Sequence, residues 1–467
     1  MPRIIVVGAG ITGLVAAREL ARVPDLDVTV LESSSRPGGQ IRTEDLDGAR
    51  VDVGAEAVHL GAPHVAALVR ELGLDSSVVG AAPGGSVMAT RKGLRPLPAG
   101  VGPTGPTRIW PVLRSGILTL PGLVRAGLEP LMARRAVTGD TSVGAFTTGR
   151  FGREVTQTFV DPLLGNLHGG DVDQLSLRST APQLVGDARD RVSLLLKNLR
   201  RKPTGRPGAA QPSALPMFAT WPGGLATFTD ALAAELGDRL QLEAPVAAVH
   251  RAGDGWEVEL AGGERLAAAH LLLTTPAPVT AELLRPHCPE AAAALEAVPM
   301  VSVATVVLGY DPSSAAGNQV LREHNGLLLP STRVRTFKAA TNLSRKWPAL
   351  GAAHHLLRAS VGRAGSSLAD ELDDEQITTR VADELGELTG LAARPQLRQV
   401  FRWPDAMPQL VVGHQERVAG LRRALDELGG IDVAGCGVDG LGISSTVRSG
   451  QQAARSIISK INQSEES

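Results

Sequence analysis

The stretch VVGAGITGLVAAREL, residues 6–20, decides the fold of this chain. Gly8 makes a tight turn, Gly10 lets an anion approach the backbone, and Gly13 lets the next helix pack closely. That helix, predicted from about Ile11 to Arg22, directs free N–H groups and the positive end of its dipole toward the anion. The stretch therefore predicts a turn that holds a pyrophosphate.

The flanks of this turn supply a strand on each side. An apolar run, Ile4 to Val7, predicts a strand buried on both faces, Asp27 to Leu31 predicts a second, and a third is predicted near Ala49 to Val53. Glu32 follows 24 residues after Gly8, where an acid accepts hydrogen bonds from ribose hydroxyls and disfavours a 2′-phosphate. The alternative is a helix-capping turn without a ligand. The spacing favours FAD or NAD over NADP.

Composition sets wider limits on the chain. Its 467 residues suffice for two or three domains, and a net charge of −1 offers no field that recruits nucleic acid. Cys288 and Cys436 form no CxxC pair, which favours a reducing, cytoplasmic location. The histidines show no metal-binding spacing, so we expect no metal, and no apolar run reaches membrane-spanning length.

Residues 106–138 are apolar and predict helices broken by prolines, with five arginines and one glutamate. Such a face can lie on an anionic membrane surface. Ordinary packed helices with solvated arginines are an equal alternative. Residues 200–216, with four prolines, predict an irregular loop.

Two further glycine-rich segments extend the first motif. VLESSSRPGGQIRT, residues 30–43, offers Arg36 for phosphate contact and allows close backbone approach at Gly38 and Gly39. GIDVAGCGVDGLGISSTVRSGQQAARSIISKI, residues 430–461, predicts a strand, a glycine loop and a long helix. Together with the first turn, these segments resemble the flavoprotein monooxygenase and amine oxidase superfamily. That resemblance implies FAD in a split domain, with the matching flavin-end positions at Gly435, Gly440, Gly442, Ile443 and Ser444.

Four more stretches narrow the resemblance. They occur in the expected order: VDPLLGNLHGGDVDQLSLRSTAP (160–182), FATWPGGLATFTDAL (218–232), FKAATNLSRKWP (337–348) and RWPDAMPQLVVGH (402–414). With the glycine segments they resemble the oxygen-dependent porphyrinogen oxidases of haem biosynthesis over nearly the whole chain. The wording GDVDQLSL is most similar to the Gram-positive bacterial branch, whose usual substrate is coproporphyrinogen III.

The resemblance implies an α/β architecture, α+β overall. A Rossmann-like FAD-binding domain of the amine oxidase type is expected from residues 1–85, 212–298 and 400–467. A mixed-sheet substrate domain is expected from 86–104 and 299–399, and an α-helical domain with a possible membrane-surface contact from 105–211.

The implied activity is oxidation of coproporphyrinogen III to coproporphyrin III in haem biosynthesis. FAD takes the hydrogens, dioxygen is the acceptor and hydrogen peroxide the by-product. Protoporphyrinogen IX is the alternative substrate; more distant alternatives are a flavin amine oxidase, a desaturase and a non-catalytic tetrapyrrole-binding flavoprotein. A downstream haem-pathway enzyme is a possible partner, and the location is cytoplasmic, with a possible peripheral contact at the inner face of the membrane.

The resemblance also implies the cofactor residues. These are Gly8, Ala9, Gly10, Ile11, Thr12, Gly13, Glu32, Ser33, Arg36, Gly39, Gln40, Gly54, Ala55, Glu56, Ala57, Val246, Trp403, Gly435, Gly442, Ile443 and Ser444.

The substrate side departs from the family pattern. Asn166 stands where the family has a Gly whose carbonyl is proposed to assist catalysis, and His168 stands where it has a Tyr; both are catalytic candidates. If a positive φ were required, Asn is the most tolerant residue after Gly. Ser86, where the protoporphyrinogen branch often has Arg, favours the other substrate.

Four propionates on coproporphyrinogen call for basic residues. The candidates are Arg91, Lys92 and Arg95 in a predicted hairpin at 86–98, and Arg333, Arg335 and Lys338 before KWP. Each alone is more often a solvated surface charge, so we expect at least one true contact among them.

Overall fold

A computed structural model describes residues 1–134, 137, 139–200, 215–333 and 335–465. Its centre is a sheet of five described strands, all parallel. We call it the parallel sheet; in spatial order its strands are Leu240–Gln241, Asp27–Leu31, Arg3–Val7, His270–Leu273 and Ile431–Val433. The predicted first two strands therefore lie side by side at its centre.

Both faces of the parallel sheet are covered, as the continuous apolar runs of its strands require. On one face Ile4 and Val6 pack into a core with the helices Ile11–Ala21, Pro63–Glu71, Ala226–Leu236 and Ile443–Glu465. On the other face Ile5 and Val7 pack against an antiparallel meander and three helices. These are Val246–Ala252, Gly255–Leu260 and Arg265–Ala268, then Ala277–Leu284, Pro289–Glu296 and His414–Leu428.

A second sheet has seven strands among the described residues and is mixed. We call it the mixed sheet; in spatial order its strands are Leu397–Pro408, Met300–Tyr310, His355–Val361, Phe337–Asn342, His324–Leu328, Gly85–Thr90 and Gly93–Pro96. The last two form the predicted hairpin, and only the pair of His324–Leu328 with Gly85–Thr90 is parallel in this part of the chain. The helices Leu368–Glu371 and Asp374–Thr389 pack on one face, separated at Asp373, whose side chain forms a capping box with Gln376.

The described residues from 109 to 200 form a series of helices. The proline-broken pattern of 106–138 is confirmed: the helices Ile109–Ser115, Leu120–Gly127 and Glu129–Met132 follow one another. The rest are Val143–Phe151, Arg153–Val155, a π-helical stretch Thr156–Gly165, Asn166–His168, Leu177–Thr180, Val185–Arg189 and Leu194–Arg200. Residues 201–214 of the predicted loop lie outside the described residues.

The third strand predicted near Ala49 to Val53 is present as Ala49–Asp52, but it lies outside the parallel sheet. It pairs antiparallel with Thr43–Leu46. The place beside the first strand is taken instead by His270–Leu273, from far along the chain. The parallel sheet thus draws on three separated stretches of sequence; the domain boundaries themselves stay a prediction.

Candidate functional site

A cavity of about 410 Å³ opens at the carboxyl edge of the parallel sheet. This edge is where open sheets with helices on both faces bind ligands. The walls come from the ends of the strands, the loop at 38–41, and the glycine loop before the last helix. They are lined by Val7, Gly8, Gly10, Ile11, Thr12, Leu31, Glu32, Ser33, Gly38, Gly39, Gln40, Ile41, Ala55, Ala244, Pro245, Val246, Thr274, Thr275, Pro276, Val279, Leu283, Gly435, Cys436, Leu441, Gly442, Ile443 and Thr446.

Two helices begin at this cavity, although more than 400 residues separate them in sequence. One is Ile11–Ala21, and the other is Ile443–Glu465. The first N–H groups of a helix have no partner within the helix, and its dipole favours negative charge there. The helices cross closely, because a Cβ on Gly450 would lie 2.5 Å from the carbonyl oxygen of Thr12. The cavity therefore offers two anion-binding ends held in a fixed relation.

Gly10 and Gly13 do different things in the first turn. A Cβ on Gly13 would lie 2.0 Å from the carbonyl oxygen of Gly8, so this glycine permits the contact between helix and strand. A Cβ on Gly10 would meet no atom within 4 Å, and Gly10 lines the cavity. Gly10 thus leaves backbone open to a ligand. The same turn holds Gly8 at φ +102°, a conformation that favours glycine.

Glu32 is held at the cavity by its own neighbours. Its Oε2 accepts a hydrogen bond of 2.8 Å from the backbone N–H of Ala9, and its Oε1 accepts one of 2.9 Å from that of Ser34. These contacts tie the carboxylate to the glycine turn. An acid in this position suits a ribose diol and repels a 2′-phosphate.

Thirteen of the predicted cofactor residues line the cavity: Gly8, Gly10, Ile11, Thr12, Glu32, Ser33, Gly39, Gln40, Ala55, Val246, Gly435, Gly442 and Ile443. Ala9, Gly13, Gly54, Ala57, Trp403 and Ser444 belong to the surrounding segments but are not among the lining residues. The structure thus brings the three predicted segments around one space.

The side chains of Arg36 and Glu56 bind other groups of the protein and do not line the cavity. The Arg36 guanidinium donates to the carbonyl oxygens of Gly39 and Ile41, at 2.8 and 3.1 Å, and so shapes the loop at the cavity wall. Burial would raise the pKa of Glu56, but Lys346 at 2.6 Å and Arg358 at 3.0 Å outweigh it and lower the pKa to about 2.

The prediction missed one wall of the cavity. Thr274, Thr275 and Pro276 follow the strand His270–Leu273, and Val279 and Leu283 lie on the next helix. The signal was available, because residues that follow a buried parallel strand lie at the ligand-binding edge. It was overlooked because this strand enters the sheet from the middle of the chain.

The catalytic candidates Asn166 and His168 lie on one short helical turn beside the mixed sheet. Asn166 has helical φ of −65°, so no positive φ is needed there, and its amide donates to the carbonyl oxygens of Leu329 and Lys338 at 3.0 and 2.8 Å. The His168 ring is buried, and none of the described residues forms a hydrogen bond with its Nδ1. Burial, with a contribution from Lys338, lowers the pKa of His168 to about 4. Their catalytic roles stay a prediction.

The six basic substrate candidates differ in burial and in partners. Arg91, Lys92 and Arg95 are exposed on the hairpin at the edge of the mixed sheet. Arg333 donates to the carbonyl oxygen of Thr90, and Arg335 is paired with Glu387 at 2.6 Å. Lys338 alone is fully enclosed, with 3% of its surface exposed. Arg333 thus lies beside the hairpin that carries Arg91 and Lys92, and Lys338 is the buried member of the set.

Within the described ranges, no three histidine, cysteine, aspartate or glutamate side chains gather into a set that could ligate a metal ion. Likewise, no helix in this part of the chain combines the length and apolar character needed to cross a bilayer.

Comparison with known proteins places the chain in a family. The sequence pattern of the family described as flavin containing amine oxidoreductase matches residues 11–458. The chain belongs to this family. It is a flavin-dependent oxidoreductase.

Individual relatives within this family show which members the chain is similar to. The chain is 30% identical over 459 residues to coproporphyrinogen III oxidase of Bacillus subtilis (strain 168), covering 96% of each chain. It is 32% identical over 490 residues to coproporphyrinogen III oxidase of Propionibacterium freudenreichii subsp. freudenreichii, covering 97% of this chain and 90% of that one. Among solved structures, "Putative protoporphyrinogen oxidase from Exiguobacterium sp. 255-15" matches with a TM-score of 0.85 and 28% identity, over 98% of each chain. The resemblance to porphyrinogen oxidases drawn from the sequence is confirmed.

Proposed function

We propose that this flavin-dependent oxidoreductase binds FAD and oxidises coproporphyrinogen III to coproporphyrin III in haem biosynthesis. Aromatisation removes six electrons and six hydrogens, so three dioxygen molecules are consumed and three hydrogen peroxide molecules released. The observation that carries the proposal is the cavity onto which both the first and the last helix open. The same proposal places the protein in the cytoplasm and passes the product to a downstream haem-pathway enzyme.

The cavity supports FAD in particular. When bound, FAD would accept hydride from the macrocycle and pass the electrons to dioxygen. Gly10, Ile11 and Thr12 would hold the pyrophosphate, and Glu32 the ribose. The N-terminus of Ile443–Glu465 would favour negative charge at the other end of the cofactor.

The choice between coproporphyrinogen III and protoporphyrinogen IX depends on carboxylates, since the first carries four and the second two. The two curated relatives named above favour the first. Protoporphyrinogen IX remains the alternative substrate.

Porphyrin fluorescence tests the proposal. The purified holoenzyme is incubated in air with each porphyrinogen, and the initial rate of porphyrin formation is compared with the rate without enzyme. We expect faster formation from coproporphyrinogen III. Faster oxidation of protoporphyrinogen IX alone would favour the alternative substrate. If the enzyme accelerates the oxidation of neither porphyrinogen, the proposal is contradicted.

A second assay separates catalysis from mere tetrapyrrole binding. Coproporphyrinogen III is added to the yellow holoenzyme under nitrogen, and the flavin absorbance is followed before and after air is admitted. If the protein is an enzyme for this substrate, the flavin absorbance falls when the substrate is added and returns when air is admitted. A flavin that stays oxidised under nitrogen would indicate a non-catalytic binding protein, and bleaching by amines alone would indicate an amine oxidase.

For the helical region we propose contact with an anionic bilayer surface. Trp110 and Leu120 are 68% and 75% exposed, and Leu113, Val124, Leu128 and Leu131 are exposed near them in sequence. Arg108, Arg114 and Arg134 are exposed on the same helices or next to them. The only acid among the described residues of 106–138, Glu129, is fully buried and accepts hydrogen bonds from the N–H groups of Leu194 and Leu195. These helices therefore expose both apolar and positive side chains, a combination that binds anionic lipid.

Vesicle sedimentation tests this contact. The holoenzyme should bind phosphatidylglycerol vesicles and not phosphatidylcholine vesicles, and binding should weaken as salt rises. Replacing Trp110, Leu120 and Val124 together by Ser should weaken binding by about tenfold or more. Leu242→Ser, at an exposed leucine in another region, is the control. Equal binding of the triple variant and the wild type would contradict the proposal.

A further inference from the structure

Two cations beside the catalytic candidates have no acceptor in the described part of the chain. Lys338 is 3% exposed, yet no carboxylate, carbonyl or hydroxyl of these residues accepts a hydrogen bond from its Nζ. The guanidinium of Arg363, partly buried after the strand His355–Val361, makes no hydrogen bond or ion pair there either. Burying an unpaired cation is costly, so such groups mark places where an anion binds.

Gly169 connects the segments that carry the two cations. A Cβ on Gly169 would lie 3.0 Å from Lys338 Nζ, so the ammonium lies against the turn that follows His168. The carbonyl oxygen of the same Gly169 accepts a hydrogen bond of 2.7 Å from the N–H of Ala364, the residue after Arg363. Asn166 fixes the backbone of Lys338 through its carbonyl oxygen at 2.8 Å. The positions are therefore prearranged.

This point is linked to the cavity at the parallel sheet. Gln40, which lines the cavity, donates a hydrogen bond of 2.6 Å to the carbonyl oxygen of Ala406. The side chain of the next residue, Met407, lies against Gly169 beside Lys338: a Cβ on that glycine would be 3.2 Å from Met407 Sδ. A substrate whose reacting edge faces the cavity could therefore extend a side arm toward the two cations.

The charged groups around Lys338 and Arg363 do not form an ion pair with either cation among the described residues. Arg358 is engaged by Glu56 at 3.0 Å. Asp161, the acid that acts on Arg363, accepts a hydrogen bond of 2.6 Å from the N–H of Ser331 and forms no ion pair with Arg363 in the described residues. Burial, together with Arg363 and Arg358, lowers the pKa of Lys338 to about 7. This shift is the one expected for an ammonium among cations and without an acid.

We propose that Lys338 and Arg363 form the subsite that binds one propionate carboxylate of the tetrapyrrole substrate. This inference rests on the proposed function. An ammonium and a guanidinium on one carboxylate make charge-assisted hydrogen bonds, which are stronger and more directional than neutral ones. The subsite orients the macrocycle and takes no part in the electron transfer.

Binding of the oxidised product tests the subsite without turnover. Coproporphyrin III and its tetramethyl ester are titrated against the holoenzyme, with quenching of porphyrin fluorescence as the readout. Lys338→Met and Arg363→Gln should each weaken binding of the free acid by about tenfold and leave the ester unchanged. Arg265→Gln, an exposed arginine on the meander, is the matched control. Unchanged binding of the acid in both variants, or equal weakening of acid and ester, would overturn the proposal.

Kinetics and stability sharpen the test. Each variant should raise KM for coproporphyrinogen III about tenfold and change kcat by less than about threefold. A fall in kcat alone would overturn the subsite in favour of a proton-transfer role. Lys338→Met should leave the thermal unfolding midpoint unchanged or raise it, because a buried unpaired cation is removed; a lower midpoint would mean a structural role. If the wild type oxidises neither porphyrinogen, the proposed function fails while the acid–ester comparison still decides the subsite.

Discussion

The cavity at the parallel sheet and the proposed Lys338–Arg363 subsite are linked through Gln40, Ala406 and Met407, yet they are built differently. The cavity is made of backbone: glycine turns and the first turns of two helices. The subsite is made of side chains from separate strands and loops. Backbone sites need glycine at fixed spacing, which is visible in a sequence. A site made of side chains needs only that those side chains lie close together in the fold. The sheet brings them together, and no local sequence pattern predicts it.

The largest effect is expected from a side chain at Gly10. Gly10→Val places a branched group in the cavity, because a Cβ there meets no protein atom within 4 Å. We expect a folded protein with FAD binding weakened by at least about 100-fold, near 3 kcal/mol. Flavin content after purification and titration with FAD measures it. Gly262→Val, in an exposed loop with equal space, is the control; a Gly10 variant that remains fully yellow would contradict the description of the turn.

Gly13→Ala should act on folding rather than on the ligand. Its Cβ would lie 2.0 Å from the carbonyl oxygen of Gly8, so helix and strand must separate. We expect a loss of about 2–4 kcal/mol in the free energy of unfolding, measured by urea denaturation. The pair of glycines thus distinguishes a packing position from a binding position. A Gly13→Ala protein as stable as the wild type would remove that distinction.

The pH dependence of KM tests the subsite. The titrating group is Lys338; the groups facing it are His168, Arg358 and Arg363. His168, with a pKa of about 4, is neutral near pH 7, and the arginines stay charged. A bound carboxylate raises the lowered pKa of Lys338, so binding takes up a proton above pH 7 and is favoured at lower pH. KM for coproporphyrinogen III should rise between about pH 6.5 and 8.5 in the wild type and be flat in Lys338→Met; parallel profiles would contradict the assignment.

The smallest effect is expected at the edge of the mixed sheet. Replacing Arg91, Lys92 and Arg95 together by Ala removes three exposed charges. If they meet propionates, KM should rise about two- to fivefold for the four-carboxylate substrate and less for the two-carboxylate one. Initial rates with the two porphyrinogens measure this. Equal effects on both would argue against contact there.

The fold could be predicted where local patterns decide it. The strand, turn and helix at residues 3–21 and the strand and helix near the carboxyl terminus follow from apolar runs and glycines. Strand order could not be predicted, since His270–Leu273 takes its place beside the first strand through contacts distant in sequence. For the same reason, Ala49–Asp52 was found in a separate hairpin.

The site divides in the same way. Eleven of the thirteen predicted cofactor residues that line the cavity lie in the three glycine-rich segments, and only Ala55 and Val246 lie outside them. Lys338 was one of six basic candidates, and nothing local distinguished it from Arg335, which is ion-paired at the surface. Arg363 was not proposed at all, because its role depends on a backbone contact between Gly169 and Ala364.

The most direct test of the central claim is the flavin content of the folded protein. If the first and last helices open onto one cofactor cavity, the purified chain should show a flavin absorbance spectrum, and release on denaturation should give close to one FAD per chain. A folded protein that is colourless, and remains so after incubation with excess FAD, would contradict the account.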